Sequence, residues 1–233
     1  MFIYQDKSQN VCITFDGNLP INPKYIFSYD PSTKRISING QEIQPAEVIN
    51  ISSDTIYPTA QKITTTKILS LNNCTVSIPE DTEGEGVFKV DKDGTLIITG
   101  NGIINGVGKN DWNMALWAIN GGKIIINGGT FTNVGASGED PTHFDLLYVS
   151  KGGYVEINAG FFHCQTPRWT LNMKNAEQGT IIVKGGTFVN YNPAESYTDE
   201  KANGLPSNFV ADGYTVVSKK QPNGDIWYTV VKE

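Results

Sequence analysis

Through the middle of the chain, hydrophobic and polar positions alternate with period two, and the alternation returns in blocks of nearly the same spelling. Four segments align without gaps: DGTLIITGNGIIN from Asp93, GGKIIINGGTFTN from Gly121, GGYVEINAGFFHC from Gly152 and QGTIIVKGGTFVN from Gln178. They share one arrangement, in which a glycine opens an alternating run, a small residue interrupts it, and a second short run ends in most cases on asparagine. The opening glycines are Gly94, Gly122, Gly153 and Gly179, spaced 28, 31 and 26 residues apart. A constant motif at irregular spacing describes a fixed coil joined by variable loops.

Period two is the signature of a strand, so Leu96 and Ile98, Ile124 and Ile126, Val155 and Ile157, and Ile181 and Val183 are predicted to point inward. Ile97, Ile125, Glu156 and Ile182 fall on the opposite face. The small residues Gly100, Gly128, Ala159 and Gly185 are predicted to permit a bend before a second strand carrying Ile103, Phe131, Phe162 or Phe188. A further apolar run precedes each motif, ending at Val90, Ile119, Ser150 and Lys174, which makes three strands per coil. The predicted fold is all-β, a right-handed parallel β-helix over residues 69–212. Leu96-Ile124-Val155-Ile181 and Ile103-Phe131-Phe162-Phe188 would be its internal ladders. Asn105, Asn133, Cys164 and Asn190 would line a corner as an asparagine ladder broken at Cys164. A β-sandwich of similar hairpins is the alternative.

A solenoid needs closed ends, and both ends here depart from the repeat. Residues 213–233 carry two β-rich runs, Tyr214 to Ser218 and Ile226 to Val231, around Pro222-Asn223-Gly224, and predict a capping hairpin. Residues 1–53 read as a separate small β module, with FIYQ, VCITF, YIFSY and RISIN as strands. Turn residues Asp16-Gly17-Asn18 and Asp30-Pro31-Ser32 lie between them. Residues 54–68, threonine-rich and without glycine, read as a linker or a first imperfect strand.

Composition narrows the function. The 233 residues have 39% hydrophobic and 18% charged positions, which suits a folded chain. The 24 glycines fit frequent sharp turns. A formal charge of -6 argues against nucleic-acid binding. Cys12, Cys74 and Cys164 are odd in number and widely spaced, so buried thiols are expected rather than disulfides or a zinc site. The N-terminal residues show neither a signal peptide nor a membrane span, so neither export nor membrane insertion is expected.

Candidate chemistry is sparse. Glu156 stands alone on its strand face, while Glu139, Asp140, His143 and Asp145 share the longest loop, where a carboxylate pair or an oxygen-and-imidazole metal site is conceivable and solvated charge is the simpler reading. His163 is predicted on the outer face. No nucleophile-elbow, zincin or phosphate-loop pattern occurs, and no cofactor or metal is expected. Aromatic residues give the better lead. Trp112, Trp169 and Tyr191 fall in the variable loops beside Asn110, Asp111, Arg168 and Asn192. Trp112, Trp169, Arg168 and Tyr191 are therefore the candidate glycan-contacting residues, since a flat ring stacks on a sugar while polar neighbours orient its hydroxyls. Covering the ends of the core is the competing role for the tryptophans.

The units KIIINGGTFTN and TIIVKGGTFVN, with LPSNFVADGYTVVSKK after them, resemble β-helical head-fibre and appendage proteins of crAss-like bacteriophages of gut Bacteroidota. The resemblance covers roughly residues 71–217. It implies a structural virion protein without catalytic residues, a homotrimer or homodimer, attached to the capsid or another virion protein by residues 1–53; contact with surface glycans is the expectation from the loop aromatics. Synthesis in the host cytoplasm and residence in the virion would follow. A polysaccharide lyase- or hydrolase-like β-helix enzyme, or a free glycan-binding module, is the alternative. The outward Ile97, Ile125 and Ile182 are the expected oligomerisation stripe.

Overall fold

A computed structural model describes residues 2–5, 11–14, 27–30, 35–38, 41–43, 46–79, 86–106, 114–133, 144–174, 179–198 and 205–233. The chain divides into two compact units, residues 1–49 and 50–233. In the first, Phe2–Gln5 pairs antiparallel with Val11–Thr14, and Phe27–Asp30, Arg35–Ile38 and Gln41–Ile43 form an antiparallel meander. The strand at Gln41–Ile43 escaped the sequence reading, and Asp16-Gly17-Asn18 and Pro31-Ser32 lie outside the described residues.

The second unit is a parallel β-helix with three strands per coil. One face stacks Gln61–Ile63, Phe88–Val90, Leu116–Ala118, Leu147–Val149 and Leu171–Met173, all parallel. A second face stacks Thr66–Ser70, Thr95–Thr99, the first halves of Lys123–Thr132 and Tyr154–His163, and Thr180–Val183. A third stacks Thr55–Ile56, Thr75–Ser77, Ile103–Asn105, the second halves of the same two long strands, and Thr187–Val189. Stacked strands lie roughly 4.8 Å apart, so like residues in successive coils meet at contact distance.

The sequence register holds on the second face. Leu96, Ile124, Val155 and Ile181 are paired in that order and buried, as are Leu69, Ile98, Ile126, Ile157 and Val183 beside them. On the third face Phe131, Phe162 and Phe188 stack with ring centroids 4.9 and 4.7 Å apart and planes 10° from parallel. The ring spacing equals the strand spacing, because one rotamer repeats from coil to coil.

Three expectations need correction. Residues 54–68 are imperfect first strands and not the linker of the other reading: Thr55–Ile56, Gln61–Ile63 and the start of Thr66–Ser70 belong to the stack, so the β-helix begins well before Leu69. A threonine-rich strand carries no glycine signature, yet it still pairs. Secondly, Ile104, not Ile103, continues the phenylalanine ladder; Ile103 faces outward opposite Thr130. The corner of the first glycine-motif repeat takes one residue more, Gly100-Asn101-Gly102 where the next has Gly128-Gly129, and a one-residue slip exchanges the two faces. The same slip sets Asn105 against Thr132 rather than Asn133. No asparagine ladder results: Asn133 bonds the carbonyls of Phe144 and Asp145, and Asn190 bonds Asp225. Thirdly, the outward isoleucines are not an open stripe. They stack in register with Ile68 and Glu156, but Ile97 is buried, and Ile125 and Ile182 are half-buried.

Two different glycine roles shape the corners. Between the first and second faces, Lys92-Asp93, Asn120-Gly121 and Lys151-Gly152 take positive φ, and the amides of Gly94, Gly122 and Gly153 bond back three residues. This is the pattern of a type I′ turn, repeated up the stack. The opening glycines themselves are set by space. A Cβ on Gly94, Gly122 or Gly153 would stand 2.5, 2.2 and 2.2 Å from the carbonyl oxygens of Ile63, Val90 and Ala118, one coil below. At the next corner Gly100 is left-handed as expected, while in the three later repeats the left-handed residues are Gly129, Gly160 and Gly186, one place after the small residues expected to bend.

The C-terminal end is closed on all three faces. Thr198 receives the amide of Met173 on the first, Phe209 and Ala211 bracket Val183 on the second, and Ile226–Lys232 pairs antiparallel with Thr187–Val189 on the third. Tyr214–Lys220 completes the predicted hairpin, turned at Gln221–Gly224 with Gly224 at φ +96°.

Candidate functional site

The longest connections run from the third face to the first. Two of them are described through most of their length and adjoin, residues 164–170 and 190–198.

The first is fixed from below. Asn133, almost fully buried, donates to the carbonyls of Phe144 and Asp145 and accepts from the amide of Gln165 at 2.9 Å. Thr166 Oγ1 accepts from the Phe144 amide and donates to its carbonyl, both at 2.9 Å. Cys164 Sγ donates to that same carbonyl at 3.0 Å, and burial pushes its thiol up to about 11, so it stays protonated. Pro167 opens a short 3-10 turn, Pro167–Trp169, closed by Thr170 donating to the Pro167 carbonyl. Arg168 is left exposed at the crest, its guanidinium 5.4 Å above the Trp169 ring.

The second segment is fixed by Asn190, whose amide nitrogen donates to Asp225 and whose side-chain oxygen accepts from the Ile226 amide, each at 2.8 Å. Asn192 Oδ1 accepts from the Ala194 amide, and the Asn192 carbonyl accepts from Glu195. Ser196 and Ser207 exchange backbone bonds, and the Ser196 and Thr198 hydroxyls lie 3.0 Å apart in the interior. Between the segments opens a cleft of about 370 Å³ lined by Arg168, Asn190, Tyr191, Asn192, Glu195 and Tyr197.

Of the predicted contact residues, Arg168 and Tyr191 come together at this cleft. Tyr191 is a correction all the same: it is 5% exposed, tilts against Phe188 at 6.0 Å, and burial drives its phenol well above the ordinary range. A buried ring is a floor and not a stacking platform. Trp169 is half-buried beside the cleft, not among its lining residues. Trp112, with Asn110 and Asp111, lies outside the described residues, as do Glu139, Asp140 and His143. Asp145 is not a solvated loop charge; it is buried and accepts from Asn172 at 2.9 Å. The sequence reading missed Tyr197, the exposed aromatic of the cleft, whose one signal was a ring in the polar stretch AESYTDE.

Two carboxylates on the coil, Asp91 and Glu156, are held by neighbouring strands. Asp91 sits 2.9 Å from Lys62 and accepts from Asn120 at 2.8 Å; the Asn120 bond, opposed by burial and aided by Lys62, lowers its pKa. On Glu156 burial acts to raise the pKa, but hydrogen bonds from Lys184, Asn158 and Tyr154 and the Lys184 charge together lower it. Tyr154 answers by rising to about 12, from burial and then from its bond to Glu156. Among the described residues no group of three His, Cys, Asp or Glu could hold a metal, and no helix is long and apolar enough to cross a membrane. His163 is half-buried in the outward row of the third face, opposite Thr132. Cys74 is half-buried and Cys164 buried, both free thiols.

Comparison of the chain with protein-family models, with curated proteins and with solved structures finds no match.

Proposed function

We propose that this chain is a structural appendage of a bacteriophage particle, a head-fibre protein of the kind its GGTF units and C-terminal segment resemble. Residues 1–49 attach it to the capsid or another virion protein, and the β-helix projects its loop corner outward. The chain acts as a homo-oligomer and performs no catalysis.

The observation that supports this reading best is the use made of the charged groups on the coil. Asp91 and Glu156 are tied to lysine and amide partners that favour their ionised forms. A glycosidase acid needs the opposite, a carboxyl held protonated near neutral pH. With aliphatic and aromatic ladders inside, such a stack is a stiff rod, suited to an extracellular particle. Antiserum raised against the chain should decorate purified particles in immunogold electron microscopy, and light scattering should give a multiple of 25.5 kDa. Particles that lack the chain by mass spectrometry, or turnover of a polysaccharide by the purified protein, would overturn the reading.

A further inference from the structure

We propose that the cleft at the loop corner binds a saccharide residue that carries a carboxylate, a sugar acid within a glycan. This rests on the reading of the chain as a glycan-contacting appendage and assigns the contact a place and a ligand class.

The size fits first. About 370 Å³ lies at the small end of ligand pockets and accommodates one or two sugar rings. The lining then divides by chemistry. Arg168 is exposed, and among the described residues its guanidinium makes only the contact over Trp169, with no carboxylate or acceptor engaged. Its planar fork matches a carboxylate with two parallel hydrogen bonds. Tyr197 offers an open ring, 55% exposed, on which the apolar face of a pyranose can stack. The Asn192 side-chain oxygen is engaged with Ala194, which turns its two N–H donors toward other acceptors. Glu195 is an exposed acceptor. Asn190 has both side-chain atoms committed to Asp225 and Ile226, and Tyr191 is buried, so these two form a fixed wall and floor.

One cation, one carboxylate acceptor, one amide and one aromatic face define a ligand with a single anionic group and several hydroxyl donors. Glu195 is what separates this from a phosphate site. A phosphate near neutral pH carries up to two negative charges and at most two P–OH donors, so it meets the Glu195 charge less favourably than a singly charged uronate whose several ring hydroxyls can donate to it. The walls are also set before binding by the Asn190, Thr166 and Asn133 bonds, so little ordering is needed.

The test is isothermal titration of the full chain with digalacturonic acid, with the neutral disaccharide of galactose, and with inorganic phosphate. Saturable binding of the uronate alone is expected. Arg168→Gln and Tyr197→Phe are the first variants, with Tyr197→Ala to remove the ring. Arg168→Gln and Tyr197→Ala should each weaken binding by about tenfold or more, Tyr197→Phe should retain it, and all should melt with the unaltered protein. Absence of saturable uronate binding, equal binding of phosphate or the neutral sugar, or binding indifferent to Arg168→Gln and Tyr197→Ala would overturn the site. Because the titration uses the isolated chain, its outcome is separate from particle labelling: labelled particles without uronate binding sink the site alone, and uronate binding by a chain absent from particles sinks the appendage.

Discussion

A single Cβ decides whether the coils can stack. Gly122 has an ordinary φ, and alanine there would place its Cβ 2.2 Å from the Val90 carbonyl oxygen, so the neighbouring coil must shift. Gly213 is the reverse case: φ is +77° and open space surrounds it. Gly122→Ala should cost about 1–3 kcal/mol in urea denaturation, and Gly122→Asn should be worse. Gly213→Ala should cost about 1 kcal/mol, with Gly213→Asn recovering most of it, because asparagine tolerates the left-handed region. Equal responses at the two sites would contradict the spatial role of the opening glycine. Tyr191 offers a second residue-scale test. Its buried hydroxyl has no partner in hydrogen-bond geometry among the described residues, so Tyr191→Phe should leave stability unchanged or raise it by up to about 1 kcal/mol. Glu156 governs a pH response. Its folded pKa lies below the unfolded one, so its stabilisation is complete above the ordinary carboxylate range and disappears as pH falls through the lowered value. Glu156→Gln should lose about 1 kcal/mol at pH 7, and the gap to the unaltered protein should close under acid in parallel melting curves.

At the scale of the element, stability comes from rows that run across coils. Phe162 is the middle of a three-ring stack and fully buried, so Phe162→Ala removes two ring contacts and leaves a cavity between coils. A loss of about 3–5 kcal/mol is expected, against far less for Phe161→Ala on the outer face, where the ring touches Trp227 at 5.1 Å. These rows also show how far the pattern could be read. Alternation and the repeated GGTF spelling placed Phe131, Phe162 and Phe188 in one row, since an inward position every second residue leaves no other choice. The same spelling misplaced Ile103, because an ungapped alignment has no means of seeing a corner that takes an extra residue. Thr66 and Lys67 read as either linker or strand for a related reason: pairing is made by the backbone, and a polar strand at the start of a stack bears no hydrophobic mark.

Taken as a whole, the molecule must end its coils without offering an open stack. The closing hairpin meets this by laying Ile226–Lys232 along Thr187–Val189 and filling beneath with Val230, Tyr191 and Phe209. Removing residues 213–233 should expose that edge and the phenylalanine ladder behind it. Self-association at low micromolar concentration in light scattering is the expected outcome, and a monodisperse, fully folded truncation would count against the capping role. Periodicity and glycine chemistry repeat in every coil, so the local pattern specified the β-helix, the second-face register, the hairpin and its turn. That residues 54–68 join the stack, that Tyr191 and Asp145 are interior, and that Arg168 and Tyr197 face one cleft came from the packing of distant segments. Those facts depend on which loops adjoin at the corner, and residues 168 and 197, which line one cleft, are separated by a full coil of chain that no local pattern spans.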